Sequence, residues 1–436
     1  MIEFARRFVN PGFVRMFFHN YRLLRRDPRC SARALFAAMR EAVEEERVVR
    51  HDGRLVYSSF LPPIPSRAAE QAFHATDDSN GVFEGLITGR RSAPISMYVS
   101  VTGRCPFRCA HCSAAGRCVS RELSTVEMKR LLSDLQDMGT SIIGLTGGEP
   151  LVREDLTELI AVTNDRSVVF LFTTGFGLDA AKAKELKRAG LFAVGISLDS
   201  TEPAEMDAFR GVEGAHAAAV AAVRHCRDAG LYTMTQTVAD RVALESGRLA
   251  KVAAFSQKIG AHEIRILENM PSGRFASLAP DRILTEEDRA ALKVFHAEMN
   301  RKRGGIKVSV FAHTEAAERF GCGAGTQHSY IDATGHLYPC DFVPVSFGNV
   351  LERPVAELWR EMHRQIGKPR QTCMVLELYM KKLLEDASSL PLSPDESAEC
   401  IKRLDPVMVL PGFYRRSAGE RKNATFTDES LFCLEH

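Results

Sequence analysis

Residues 97–112 read MYVSVTGRCPFRCAHC and combine a β-rich run with three closely spaced cysteines. The run over 97–101 predicts a strand, and the glycine after it predicts a loop. Cys105, Cys109 and Cys112 alternate with arginines and a histidine, which is untypical of a buried apolar position. Three thiols on one loop after a strand therefore predict a metal site. On an iron–sulfur cubane, three such ligands leave one iron open.

The three cysteines could serve a zinc site or the protein core instead. Zinc could use the three thiolates together with His111, but His111 adjoins Cys112, and adjacent side chains on a tight loop rarely reach one ion. In the core, the cysteines would be small buried hydrophobic residues, as free cysteine often is. The charged neighbours argue against burial in the core, and an iron–sulfur cluster is preferred over both alternatives.

Composition limits the class of protein. The chain has 436 residues, which suggests two or three domains, and 45% of them are hydrophobic, as in core-forming proteins. Lys and Arg total 57 against 55 for Asp and Glu, so the net charge of +2 excludes the basic footprint of a nucleic-acid binder. Without a long apolar run or a signal-peptide pattern at the start, we expect a cytoplasmic protein. Eleven cysteines then indicate metal or redox chemistry rather than disulfides.

Beyond residue 96 the sequence alternates between short β-rich runs and helical stretches. Strands are predicted over 97–101, 141–145, 168–172, 193–198, 232–238 and 263–267. Helices are predicted over 125–138, 155–164, 179–189, 215–229, 245–259 and 286–302. Such repeats predict an α/β fold with a parallel sheet, and six of them are too few to close a full barrel. We therefore expect a partial (β/α)6 barrel with ligands at the carboxyl ends of its strands.

The spacing Cys105-x3-Cys109-x2-Cys112 after the first strand of such a barrel resembles the signature of the radical SAM enzymes. The resemblance implies that these cysteines hold a [4Fe-4S] cluster whose unique iron binds S-adenosylmethionine (SAM). It further implies that one-electron reduction cleaves SAM to a 5′-deoxyadenosyl radical, which abstracts a substrate hydrogen. His111 stands where the family usually has an aromatic residue near the adenine.

Further segments at successive strand ends resemble the family pattern. Gly147, Gly148 and Glu149 resemble the motif that holds the methionine amino group; glycine allows close backbone approach, and a carboxylate suits an ammonium. Thr174 and Ser197 resemble ribose-side contacts. The implied SAM-binding set is His111, Gly147, Gly148, Glu149, Thr174, Ser197 and Arg210, the last as partner of the methionine carboxylate. Ordinary turns and buried polar side chains are the alternative for each, and no catalytic residue is assigned.

A second group of cysteines begins at residue 322. Residues 330–338 predict a hairpin that turns at Thr334-Gly335, and this region resembles the first half of a SPASM or twitch domain, which carries auxiliary iron–sulfur clusters. The full SPASM pattern is not continued after Cys373. Five cysteines remain, too few for two cubanes at four thiolates each. We expect one auxiliary [4Fe-4S] cluster, whose ligands would be Cys322, Cys340, Cys373 and either Cys400 (preferred) or Cys433. A degenerate domain without metal is the alternative.

The expected organisation has four parts: a mostly helical N-terminal extension (1–90), the partial barrel (91–305), a small α+β cluster domain (306–405) and a tail (406–436). In the extension, a basic amphipathic helix with Phe13, Phe17 and Phe18 on one face precedes a helix over 32–46 and a hairpin turning at Asp52-Gly53. The amphipathic helix could pack on the barrel, lie on a membrane surface or dock a partner.

The resemblance implies a function as a radical SAM enzyme with a peptide as the commonest substrate class, followed by a small metabolite or a lipid at the membrane surface. It also implies a flavodoxin or ferredoxin as electron donor. A non-enzymatic iron–sulfur or zinc-binding interaction protein is the alternative of another class. Cys118 has no assigned role, and Cys30 and Cys226 are interpreted as structural.

Overall fold

The computed structural model describes residues 14, 18, 21–22, 31–42, 45–75, 91–116, 121–275, 282–384 and 392–417. The strands are β1 (Val49–His51), β2 (Arg54–Val56), β3 (Ser96–Thr102), β4 (Ile142–Gly147), β5 (Val168–Thr173), β6 (Leu191–Ser197), β7 (Tyr232–Ala239), β8 (Glu263–Glu268), β9 (Lys307–Val310), β10 (His328–Ile331) and β11 (Leu337–Tyr338). The helices are α1 (Ala32–Ala42), α2 (Arg67–His74), α3 (Thr125–Met138), α4 (Leu156–Ala161), α5 (Ala180–Arg188), α6 (Pro203–Arg210), α7 (Ala215–Asp228), α8 (Arg241–Glu245), α9 (Arg248–Lys258), α10 (Glu286–Arg301), α11 (Phe311–Thr314), α12 (Val355–Ile366), α13 (Met374–Met380), α14 (Pro394–Lys402) and α15 (Gly412–Ser417).

A nine-stranded sheet forms the centre of the molecule, with the strand order β11-β10-β3-β4-β5-β6-β7-β8-β9. Neighbouring strands are parallel except in the β10–β11 hairpin. The strands β3 to β8 are the six predicted ones. Their side chains are buried almost throughout because helices cover one face and the barrel interior lies on the other. The predicted α/β fold with a parallel sheet is confirmed.

The six predicted strands lie side by side as the partial barrel, and the sheet extends beyond them on both sides. Strand β9 pairs parallel with β8, and β10 pairs parallel with β3. The predicted hairpin that turns at Thr334-Gly335 is present as β10 and β11. Its pairing with β3 was not predicted, because β10 comes from the cysteine-rich segment and not from a strand–helix repeat. Strands from both sides of residue 305 therefore share one sheet. Among the described residues β9 and β10 do not pair, so the barrel stays open.

Helix α3 illustrates why the predicted helices form where they do. Ser124 and Glu127 make reciprocal capping-box hydrogen bonds at its start, and Gly139 ends it with a φ of 114°. Its inward face is apolar at helical spacing and packs on the sheet through Met128, Leu131, Leu132 and Leu135. A Leu→Ala change on this face would cost about 2–5 kcal/mol of unfolding free energy.

Two predicted elements of the N-terminal extension are described, and α2 is a further helix that the sequence did not predict. Helix α1 and the β1–β2 hairpin are present, and the hairpin turns through Asp52 and Gly53, which both have positive φ. The extension is joined to the barrel by a buried ion pair between Glu46 and Lys307. The predicted amphipathic helix lies mostly outside the described residues. Within those residues, no helix combines the length and apolarity needed to cross a bilayer.

Candidate functional site

The first cysteine group lies at the carboxyl end of the sheet. Cys105, Cys109 and Cys112 are free thiols, and all three line a cavity of about 470 Å³. Although the Cys105 residue is exposed, partial desolvation of its thiol raises the pKa to about 11, and burial also raises the pKa of Cys109. Both thiols are therefore protonated until a metal displaces the proton. Three soft thiol ligands that face one cavity fit an iron–sulfur cluster with three protein ligands.

Hydrogen bonds hold the cysteine loop in place from two sides. The backbone N–H groups of Arg108 and Ala110 donate to the carbonyl oxygens of Arg210 and Phe209 at the end of α6, each at 3.1 Å. On the other side, the backbone N–H of Arg274 donates to the carbonyl oxygen of Cys112 at 3.0 Å. The loop conformation is therefore set by the barrel around it, as preorganisation of a metal site requires.

The glycine pair at the end of β4 allows two backbones to meet. A Cβ atom on Gly147 would lie 2.3 Å from the Thr102 carbonyl oxygen, and one on Gly148 would lie 2.3 Å from the Arg104 carbonyl oxygen. The Gly148 N–H donates to the Thr102 carbonyl at 2.7 Å. Both glycines line the cavity, so any side chain here would push the β4 loop away from the cysteine loop.

Glu149, by contrast, is not among the residues that line the cavity. Its buried carboxylate accepts hydrogen bonds from the Thr173 hydroxyl at 2.5 Å, from the Thr174 hydroxyl at 2.7 Å and from the Thr174 backbone N–H at 2.8 Å. The Leu151 N–H donates to it as well, at 3.1 Å. The structure thus uses Glu149 to join the ends of β4 and β5, whereas Thr174 lines the cavity.

A buried ion pair lies beside Cys109. Arg210 donates from Nε to an Asp199 oxygen at 2.7 Å, and its Nη1 lies 3.6 Å from the Cys109 sulfur. Burial by itself would raise the pKa of Asp199, but the guanidinium outweighs it and holds that pKa below the usual range. The second Asp199 oxygen is buried with no hydrogen-bond partner among the described residues. Ser197, at the end of β6, lines the cavity with them.

His111 lies with its ring stacked on Phe209, at 4.6 Å between centroids and 10° between planes. Burial lowers its pKa to about 4, so the imidazole is neutral. Among the described donor groups, no compact set within 4.8 Å joins His111 to the three cysteines.

The second cysteine group opens into the same cavity. Cys322, Cys340 and Cys373 come from three separate segments, and Cys373 immediately precedes α13. The Cys373 thiol is hydrogen-bonded to Cys322, which lowers the pKa of Cys322 and raises that of Cys373. Arg370 positions the pair, because its backbone exchanges hydrogen bonds with that of Cys322 and its guanidinium binds the Glu377 carboxylate at 2.6 Å.

Cys400, expected as the fourth ligand, lies elsewhere. It is buried in α14, its thiol donates to the Leu383 carbonyl at 3.5 Å, and it does not line the cavity. The reason is packing, because the apolar face of α14 that carries Cys400 contacts the core and does not turn toward the other three cysteines. Cys433, the other candidate, and Cys118 and Cys30 lie outside the described residues, whereas Cys226 is fully buried in the core.

The sequence analysis did not identify three polar residues that lie near the second cysteine group. Donor atoms of Glu315, Cys322 and Cys373 lie within 4.8 Å of one another, and the same holds for His328, Cys340 and Asp341. Asp341 adjoins Cys340, which was a usable signal. No local pattern marks Glu315 or His328, and only tertiary structure brings them to the cavity.

Comparisons with known proteins give a separate family match for each of the two cysteine-containing regions. Residues 99–241 match the radical SAM superfamily, and residues 322–374 match SPASM, an iron–sulfur cluster-binding domain. The chain is 30% identical to an AdoMet-dependent heme synthase of Nitratidesulfovibrio vulgaris, over 60% of this chain and 77% of that protein. It is 29% identical to a PqqA peptide cyclase of Gluconobacter oxydans, over 62% and 77%. Its fold is similar to that of SAM-bound Streptococcus suis SuiB, with a TM-score of 0.52, 15% identity and coverage of 62% and 66%.

Proposed function

Because this chain belongs to the radical SAM superfamily and has a SPASM cluster-binding domain after the core, we propose that it modifies a peptide by hydrogen abstraction. It is an enzyme that uses SAM and a [4Fe-4S] cluster. When bound, these supply a 5′-deoxyadenosyl radical, formed by one-electron reduction and cleavage of SAM. The observation that carries the proposed hydrogen abstraction is one cavity lined by both groups of three cysteines.

Cys105, Cys109 and Cys112 are the proposed ligands of the radical SAM cluster, and Cys322, Cys340 and Cys373 those of an auxiliary [4Fe-4S] cluster. All six thiols are free and line the same cavity. A substrate in that cavity would lie between the two cluster sites, where the barrel walls and the C-terminal segment restrict the access of water.

SAM is proposed to bind across the strand ends next to the first group. Gly147 and Gly148 leave room for close approach to the backbone, and Thr174 and Ser197 offer hydroxyls from the next two strands. Arg210 keeps a positive charge beside Cys109, although Asp199 already shares its donors. The partner-free oxygen of Asp199 is a suitable acceptor for an ammonium or a hydroxyl group.

The proposal of a peptide substrate rests on sequence relatives. The PqqA peptide cyclase is nearly as similar to this chain as the heme synthase, at 29% against 30% identity, and both match over more than three quarters of their own length. A tetrapyrrole is the second candidate. It is favoured by the heme synthase relative and by Arg265, a buried guanidinium bordering the cavity whose Nε has no hydrogen-bond partner among the described residues. Such a group suits a carboxylate-bearing ligand.

A flavodoxin or ferredoxin is the proposed electron donor. Cys105 is exposed, and its neighbours Arg104 and Arg108 are exposed as well. Positive side chains around the outer edge of the cluster site would attract an acidic redox protein and bring its cofactor within range of electron transfer.

Peripheral membrane contact of the N-terminal segment is also proposed. Of its described residues, Val14 and Phe18 are exposed apolar side chains, and Arg22 is an exposed cation. The test is sedimentation with anionic vesicles, in which the Phe18→Glu variant should bind less than the wild type. No binding by the wild type would end this idea without affecting the enzymatic proposal.

The proposed activity is tested by anaerobic incubation with SAM and dithionite. We expect 5′-deoxyadenosine without any substrate, and an increase in its rate, together with a product of altered mass, when the peptide fraction of a cell extract is added. Parallel incubation with Fe-coproporphyrin III tests the tetrapyrrole. Stimulation by the porphyrin alone would overturn the peptide proposal, and no 5′-deoxyadenosine under any condition would overturn the activity itself.

A further inference from the structure

We propose that Glu315 is the fourth protein ligand of the auxiliary cluster and completes the set that Cys322, Cys340 and Cys373 begin. This inference rests on the proposed function, because it presupposes that the second cysteine group holds a cluster. It replaces a fourth thiolate by a carboxylate from a different part of the chain. A closed, mixed-ligand cluster follows, in contrast to the radical SAM cluster with its open iron.

The position of Glu315 in the fold points it to this site. It directly follows α11, and its backbone N–H donates to the Phe311 carbonyl at 2.8 Å, which fixes the residue at the end of that short helix. Its carboxylate lies within 4.8 Å of the sulfurs of both Cys322 and Cys373, and it lines the cavity together with Cys340. The four side chains come from separate segments of the chain and line the same cavity.

The surroundings of Glu315 show why its carboxylate is available. Within the described part of the chain it makes no side-chain hydrogen bond and no ion pair. Glu268, Asp341 and the Cys322 thiol lie near it, and the nearby cation Arg289 is already bound to Glu268 at 2.8 Å. A half-buried carboxylate among thiols and other carboxylates is unfavourable unless it is protonated or binds a metal.

The other candidates for the fourth position within the described residues are less suitable. Cys400 is in the core, with its thiol bonded to a backbone carbonyl. Asp341 lies near Cys340, but its Oδ1 accepts from His328 Nε2 at 3.3 Å and from the Cys340 thiol at 3.4 Å. His328 also bonds Ser96 through Nδ1 at 2.8 Å. Both are thus engaged with each other or with the sheet, whereas Glu315 is not.

The test uses the full chain with Cys105, Cys109 and Cys112 replaced by alanine, so that only an auxiliary cluster contributes iron. In this background Glu315→Ala should lower the iron count from about four to about three, with the EPR signal of an oxidised three-iron cluster. Glu315→Cys should keep about four irons, but its reduced-state EPR spectrum and midpoint potential should differ from those of the parent, because sulfur replaces oxygen on one iron.

Two controls separate ligation from folding. Cys400→Ala and Glu318→Gln, whose carboxylate pairs with Lys293 outside the cavity, should leave the iron count and the EPR spectrum as in the parent. Circular dichroism should show all variants folded. Unchanged spectra in both Glu315 variants, or loss of iron in Cys400→Ala, would overturn the assignment of Glu315. A parent that holds no iron would instead overturn the auxiliary cluster, and with it that part of the proposed function.

Discussion

The two cysteine groups face the same cavity but are built in different ways. The first lies on one eight-residue loop, 105–112, which follows β3 and is held by hydrogen bonds to neighbouring barrel segments. The second is assembled from residues 322, 340 and 373 and depends on the pairing of β10 with the barrel. A contiguous loop can keep its ligands together when distant contacts weaken, whereas an assembled site fails when any of its supports is lost.

The largest effect is expected from breaking the first group. Replacing Cys105, Cys109 or Cys112 singly by alanine should reduce 5′-deoxyadenosine formation below detection, because a cluster that needs three thiolates is left with two. Cys400→Ala is the matched control and should retain wild-type activity within about twofold, since its thiol lies in the core. Persistent 5′-deoxyadenosine in all three single variants, measured by mass spectrometry, would refute the ligand assignment.

Arg370, which holds the second cysteine group in place, allows the two groups to be tested separately. Arg370→Gln removes a buried ion pair with Glu377 and should destabilise the fold by about 3–5 kcal/mol. It should lower the iron content from about eight to about four per chain, while SAM cleavage without substrate continues. The control Arg353→Gln removes a surface pair with Glu361 and should cost less than about 1 kcal/mol.

If Arg370→Gln lost iron equally from both cysteine groups, the two cluster sites would not depend on separate structural contacts. The measurement is iron quantitation after anaerobic reconstitution, together with the midpoint of urea unfolding.

The glycine pair provides a test of the first group that leaves its ligands intact. Gly148→Ala places a Cβ 2.3 Å from a backbone carbonyl, an overlap that costs about 1–3 kcal/mol and displaces the cysteine loop. We expect a fall of about fivefold or more in 5′-deoxyadenosine formation at limiting SAM, since about 1 kcal/mol corresponds to fivefold and about 1.4 kcal/mol to tenfold. Gly305→Ala, whose nearest neighbour would lie 3.4 Å away, is the control. Equal rates in the two variants would contradict a steric role of the glycines.

The smallest effect concerns the electron donor. Reversing the charge of Arg104 and Arg108 to glutamate should slow turnover several-fold with a reduced flavodoxin, because the encounter is steered by charge, but not with dithionite. The difference should shrink at high salt. An equal loss with both reductants would indicate damage to the cluster site and not to donor docking.

The sequence predicts those structural elements whose determinants lie within the element itself. The strands β3 to β8, helix α3 and the Asp52-Gly53 turn were predictable, since periodicity, caps and glycines are encoded within each segment. The pairing of β10 with β3 was not, because it depends on a contact between residues more than 200 positions apart.

The same distinction between local sequence and tertiary packing applies to the residues of the site. The loop of Cys105, Cys109 and Cys112 is recognisable from spacing alone, whereas the location of Cys400 in the core and of Glu315 at the cavity emerge only from tertiary packing. Glu149 differs from both. It stands at a recognisable motif position, but its carboxylate already accepts hydrogen bonds from Thr173 and Thr174. Its position follows from the sequence, but the partners of its oxygens do not.

If one cavity joins a cluster site with an open iron to a second, fully ligated one, only the first cluster should respond to SAM. EPR of the reduced protein, titrated with SAM in two complementary variants, decides this. With Cys322, Cys340 and Cys373 replaced by alanine, the remaining cluster signal should shift when SAM is added. With Cys105, Cys109 and Cys112 replaced instead, the signal should not respond. A SAM-induced shift in the second variant, or none in the first, would contradict the claim.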